Sequence, residues 1–205
     1  MGGRLGAMPA KRPPIPLSRE RIIEAALHIA DGQGLRRLTM RRLGDALQVE
    51  AMAIYHHIPG GKEALLDALA EHVTTVTVDA EGGDWRELAR AWARACRAAL
   101  LAHPGVLALA MTRPPRGRAA AALREHVDRL GDAGLPAPAE ALRTIRAYVM
   151  GSVAIEVQRS GWNGEAVESS DEAVAAFERG LDAVIAGLAA GLAPGAASPG
   201  AATPV

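Results

Sequence analysis

Arg41 and Arg42 stand just ahead of a two-residue break, Gln48 and Val49. Beyond the break Ala51, Ala53, His56 and His57 fall on the outer side of a short segment. A guanidinium fork binds a guanine edge bidentately and a phosphate through charge-assisted hydrogen bonds, and small apolar side chains touch thymine methyls. This spacing points to nucleic-acid recognition. Cys96 and His103 are the next candidates. Seven residues apart on one helix they lie ~10.5 Å apart along the axis, too far for a nucleophile–base dyad. No nucleophile elbow, phosphate loop, HExxH or paired-carboxylate pattern is present. His56 and His57 are neighbours, which on a helix point ~100° apart and do not share an ion. The expectation is no catalytic residue, no metal and no cofactor.

The elements that position these residues all read as helices. Ser18 caps a helix over residues 18–31 whose Ile22, Ala25, Ala26, Ile29 and Ala30 form one apolar face, and Gly32 and Gly34 stop it. Thr39 caps a second helix, 40–47, with Leu43, Ala46 and Leu47 inward. A third follows at 50–57 with Ile54 inward, ended by Pro59, Gly60 and Gly61. Two short helices with so short a break form a helix-turn-helix, the unit that lays its second helix in the DNA major groove. Lys62 opens a fourth helix, 63–77. Past a polar joint at 79–84 come helices at 85–102, 106–111, 117–133, 138–159 and 171–192, and the loop before the last contains Trp162. No strand pattern and no fixed repeat appear.

Composition agrees with this reading. Of 205 residues, 49% are hydrophobic and 22% charged, enough for a core, so global disorder is excluded. A single cysteine excludes a disulfide framework and a Cys-rich zinc site, and fits a reducing compartment. Without a signal peptide, a myristoylation motif or an apolar run of ~18 residues, the sequence predicts a cytoplasmic protein with no membrane partner. The net charge of zero hides an asymmetry. Residues 1–62 carry 10 Lys and Arg against 5 Asp and Glu, whereas residues 63–205 carry 13 against 18. A basic N-terminal module on an acidic body suits a polyanion partner. Residues 1–17 read as a flexible basic arm or an end without a role, and 193–205 as a disordered tail.

The ordered signature Gly34-Leu35-x-x-Leu38-Thr39, Arg41, Leu43-x-x-x-Leu47-x-Val49, Tyr55-x-His57, then Lys62 with Ala64-Leu65-Leu66, resembles the DNA-binding domain of the TetR family of bacterial transcriptional regulators. The resemblance spans 17–73 and is nearest the tetracycline-repressor branch. A weaker likeness runs to about residue 192 through Trp85, His103, Thr112-Arg113-Pro114, Ala133-Gly134-Leu135, Gly151 and Glu156. It implies an all-α chain with a helix-turn-helix three-helix DNA-binding domain at 18–62 and a helical ligand-binding and dimerisation domain at 63–192. It implies a homodimer joined by a four-helix bundle from 138–159 and 171–192, with a double-stranded DNA operator and a small-molecule effector as partners. The implied function is a ligand-responsive repressor released by its effector. The alternative is a helical interaction protein that has kept the fold and lost specific DNA binding.

By position, the resemblance places Thr39 and Arg41 at the DNA ahead of the recognition helix, Ala51, Met52 and Ala53 against bases, and Tyr55, His56 and His57 on base edges and phosphates. The alternative for Tyr55 is a packing residue. Lys62 would meet a phosphate at the start of the fourth helix. Departures stand out. Ala51 and Ala53 replace a polar Gln and Thr, so the operator must differ. Gln48 replaces a turn glycine, which implies strain or a shifted turn. Gly60-Gly61 carries one extra residue before Lys62. In the body Trp92, Cys96, His126 and Glu156 fall on ligand-pocket positions. Trp92 and Cys96 read equally as core, and His126 equally as an exposed histidine. Leu109 replaces the histidine that holds a magnesium–tetracycline chelate, and Val78 replaces another polar pocket group. The implied effector is apolar or aromatic with one or two polar groups.

Overall fold

Ser18 starts the first helix as its position predicts, with its hydroxyl oxygen accepting the Arg21 N–H at 3.2 Å. In the computed structural model, which describes residues 16–78, 83–160, 167 and 169–191, α1 runs Arg19–Gln33 and ends at Gly34. It buries the expected Ile22, Ala26, Ile29 and Ala30, and also Ile23 and Leu27. The buried arc is wider than one face because α1 is packed between the other head helices and the body. A 3₁₀ turn, Leu35–Arg37, leads to α2 (Met40–Leu47), capped by the Thr39 hydroxyl on the Arg42 N–H at 3.1 Å. Gln48 then turns the chain in the left-handed region (φ 57, ψ 42) into α3 (Ala51–His57). The strain expected there from the missing glycine is present, and the turn keeps its place.

Leu43 and Ile54 are completely buried between these helices, and Leu47 and Val49 half-buried. Ala46 is exposed, contrary to the inward position its spacing predicts. Gly44 takes the inward place. A Cβ there would lie 2.8 Å from the Val49 carbonyl oxygen, so the chain entering α3 rests directly on that face of α2. Ala46, about 200° round the helix from Gly44, points away.

α4 (Gly61–Thr74) stops three residues short of the expected Thr77. The hydroxyls of Thr74 and Thr75 bond back to the carbonyls of Ala70 and Glu71 at 2.7 and 2.6 Å, and a β-branched run follows. Both features weigh against further helix. The body comprises α5 (Trp85–Ala102), α6 (Leu107–Thr112), α7 (Gly117–Asp132), α8 (Pro138–Arg159) and α9 (Asp171–Gly191). Asp84 caps α5 through the Arg86 N–H at 3.2 Å. Leu100, Leu130, Leu142, Ile145, Val153 and Leu181 form the body's buried centre. Among the described residues there is no strand. The expected arm at 1–15, the joint at 79–82, Trp162 and the tail from 192 lie outside the described residues.

Polar contacts brace α1 and α4 against the helices that follow. At the end of α1 the Asp31 carboxylate accepts the Gly105 N–H at 2.9 Å and hydrogen-bonds His103 Nδ1 at 2.8 Å. Beside it, α4 is tied to the end of α6 by Arg113, whose guanidinium bridges Glu63, at 2.8 Å, and Asp67. No single described helix is long and apolar enough to cross a membrane.

Candidate nucleic-acid interface and ligand cavity

Thr39, Arg41, Met52, Tyr55, His56, His57 and Lys62 are all exposed, and Ala51 and Ala53 half-buried. They lie on or beside α2, α3 and the start of α4. Met52 is 68% exposed, an apolar side chain offered to solvent from the middle of α3. Tyr55 serves two ends: its ring packs over Gly61 while 41% of the residue remains accessible. Thr39 spends its hydroxyl oxygen on the cap and keeps its O–H to donate. The extra residue before Lys62 is absorbed by Gly60 and Gly61, both at positive φ (111 and 62), so Lys62 stays in the first turn of α4.

Two further cations belong to this surface. Arg36 and Arg37 sit on the 3₁₀ turn and line one concave stretch with Thr39, Arg41 and Arg42. None of these four arginines has an ion pair with a described residue, whereas Arg90, Arg94, Arg97 and Arg113 of the body are paired with carboxylates. A guanidinium cluster without carboxylate partners among the described residues is an electrostatic footprint for phosphates. Arg36 and Arg37 escape a reading based on helix faces because they lie between helices. Their signal is charge density in a loop.

The body encloses a small cavity of about 20 Å³, room for about one water molecule. Its walls are Val73 and Thr74 from the last turn of α4, Trp92, Cys96 and Leu100 from α5, Ala119 and Leu123 from α7, and Arg146, Val149 and Met150 from α8. Trp92 and Cys96 are thus brought together, both buried and both on the cavity wall. Burial pushes the Cys96 thiol up to about 12, so it is a neutral wall group at ordinary pH. His126 is 3% exposed and stacks on Trp92, with ring centroids 5.4 Å apart. Its Nε2 is buried without a hydrogen-bond partner among the described residues. Burial, with Arg129 adding to it, holds the ring's pKa down at about 4, so the imidazole is neutral.

Glu156 and Leu109 sit elsewhere. Glu156, for which the sequence predicts a ligand partner, has one inside the chain: Arg97 grips it at 2.7 Å and also donates to the Ser169 hydroxyl at 2.9 Å. It faces a separate groove between α8 and α9. Leu109 is buried in α6, away from the cavity wall. Arg146 is the wall residue that sequence reasoning missed. Its signal is an arginine at helical spacing from the apolar Val149 and Met150 on one face of α8.

Comparison with known proteins agrees with this geometry. Residues 22–69 match the profile described as "Bacterial regulatory proteins, tetR family", and residues 78–169 match "Tetracyclin repressor-like, C-terminal domain". The class C tetracycline repressor of Escherichia coli is 35% identical, over 84% of this chain and 90% of that one. The chain belongs to the TetR family. It is a ligand-responsive DNA-binding transcriptional regulator, of a family of regulators rather than enzymes. Among other relatives, the HTH-type transcriptional repressor DrrR1 of Streptomyces coeruleorubidus is 36% identical over 56% of this chain. This chain spans only 43% of that longer protein. The TetR-family protein ActR of Streptomyces coelicolor, solved in complex with actinorhodin, superposes with a TM-score of 0.71. It is 26% identical, over 86% of this chain and 99% of that one.

Proposed function

We propose that the protein is a cytoplasmic, non-enzymatic repressor that binds a palindromic operator as a homodimer and is released by a small molecule entering the body cavity. The domains are a DNA-binding head at 18–62 and a ligand-binding and dimerisation body at 63–192. The single observation that carries this reading is the placement of α4. Its first turn bears Lys62 beside α3, and its last turn supplies Val73 and Thr74 to the cavity wall. At 1.5 Å per residue it is a rod about 20 Å long. Expansion of the cavity pushes one end of the rod and moves the other relative to the recognition helix.

On the DNA side, Ala51, Met52 and Ala53 face bases, and Met52 and the alanines suit thymine methyls. Arg41 supplies a directional hydrogen-bonding contact. Thr39, Tyr55, His56, His57 and Lys62, joined by Arg36, Arg37 and Arg42, hold phosphates. On the ligand side Trp92, Cys96 and His126 are the effector's neighbours. For the dimer, α8 and α9 offer Ile155 and Val174, 59% and 39% exposed, to the same helices of a second copy.

Selection of random duplex DNA on the purified protein tests this reading. An enriched palindrome bound by a dimer is expected, with affinity falling steeply as salt rises through counterion release. Arg36→Ala should lower the slope of log affinity against log salt by about 1.8 for the dimer, about 0.9 from each protomer. Weak binding without enrichment would refute the repressor reading.

A further inference from the structure

Arg146 is the one charged side chain on the cavity wall, and every other wall residue except Thr74 is apolar or a neutral thiol. Among the described residues it has neither an ion pair nor a hydrogen bond. The contrast with Arg97 of α5 is direct: its guanidinium is held by both oxygens of Glu156 and by Ser169. A guanidinium presents five N–H donors in a fixed fork. Half-buried between apolar walls without a counter-ion, it sets a positive potential in a space where charge is poorly screened. The second polar feature is His126 Nε2, buried behind Trp92 and unpartnered. The cavity wall therefore has one cationic fork in an apolar and aromatic surround, with a neutral imidazole stacked behind its tryptophan.

We propose that the effector is an organic anion: an apolar, ring-bearing molecule whose carboxylate or phenolate pairs with the Arg146 guanidinium while its body lies against Trp92, Leu123 and Met150. This rests on the reading of the cavity as the effector site. The free volume of about 20 Å³ means that occupation requires Leu123 and Met150 to swing aside and the end of α4, at Val73 and Thr74, to give way. Charge recognition at Arg146 and displacement of α4 are thus consequences of the same event.

The test is a matched panel: 2-naphthoate, biphenyl-4-carboxylate and 4-nitrophenolate, each beside its neutral amide or methyl ether. Binding is read by tryptophan fluorescence and by thermal shift on the full-length dimer. At least one anion should bind about 10-fold or more tighter than its neutral partner. Arg146→Met should abolish that preference, leaving anion and neutral partner bound alike, and Arg146→Lys should keep part of it. Naphthoate or biphenyl-carboxylate leading identifies a carboxylate effector; nitrophenolate leading identifies a phenolate. Equal binding of anions and neutral partners, no binding by any anion, or a preference that survives Arg146→Met would overturn the proposal. If Arg146→Met does not fold, the wild-type comparison decides by itself. A successful operator selection with a failed panel overturns only the anion. A failed selection overturns the repressor reading.

Discussion

Replacing His126 with Phe should make the fold less sensitive to acid by an amount that the structure sets. The ring is 3% exposed, stacked on Trp92, and its Nε2 has no partner among the described residues. Burial is the larger cause of its lowered pKa and Arg129 the smaller, and together they take it from 6.5 to about 4. The unfolded chain therefore takes up a proton on this residue below pH 6.5 that the folded chain refuses until about pH 4. Stability from the neutral ring is complete above pH 6.5, falls as pH drops through that window, and is gone below about 4. At about 1.4 kcal/mol per tenfold change in proton affinity the whole effect is about 3 kcal/mol, of which about 2 kcal/mol is lost by pH 5. Urea midpoints at pH 7.5 and pH 5, at one fixed protomer concentration, measure it in the wild type and in His126→Phe, whose ring preserves the stack. The variant should lose about 2 kcal/mol less than the wild type between the two pH values. The other histidines and the carboxylates titrate in both proteins and cancel. Equal losses would refute the neutral buried ring.

Three further outcomes are expected. Gln48→Gly should raise stability by about 1 kcal/mol in thermal melts, because only the glycine adopts φ 57 without a Cβ penalty. Gly44→Ala should reduce operator affinity more than tenfold while leaving the body's helicity in circular dichroism, because its Cβ meets the Val49 carbonyl and drives α3 off α2. Arg97→Met should cost about 3–5 kcal/mol in denaturant unfolding by stranding the Glu156 carboxylate, which is 11% exposed. Adding Glu156→Leu should recover most of that loss, since a matched apolar pair removes the stranded charge.

What was legible in the sequence was mostly local. Ser18 and Thr39 cap the helices they precede because capping joins a side chain to an N–H two or three residues away. The helix-turn-helix was legible for the same reason, and of the two outcomes open at Gln48, strain or a shifted turn, the chain takes the strained one. Departures begin where a distant element decides. Ala46 was assigned inward because eight residues of α2 do not reveal that α3 comes closest at Gly44. The partner of Glu156 lies 59 residues away on α5, so its ion pair has no signature in spacing. Arg146 was invisible as a cavity residue because α8 is apolar on more than one side, and only packing shows which side meets the gap between α5 and α7. The end of α4 was misjudged for a local reason of another kind: apolar periodicity continues through Val76, while the threonine hydroxyls have already turned back onto the backbone.

The Asp31 carboxylate, holding His103 and the Gly105 N–H, has a consequence for which DNA the protein accepts. The clasp holds the end of α1 against the turn after α5, while α4 runs from beside α3 to the cavity. An object held at one point and pushed at another turns about the first. In the release mechanism proposed above the clasp is the pivot, and the angle taken there sets the separation of the two reading helices in a dimer. Half-site spacing then depends on Asp31, a residue at the far end of α1 from its Ser18 cap. Two relatives with identical recognition helices but different joints at this pivot would choose between operators by spacer length alone.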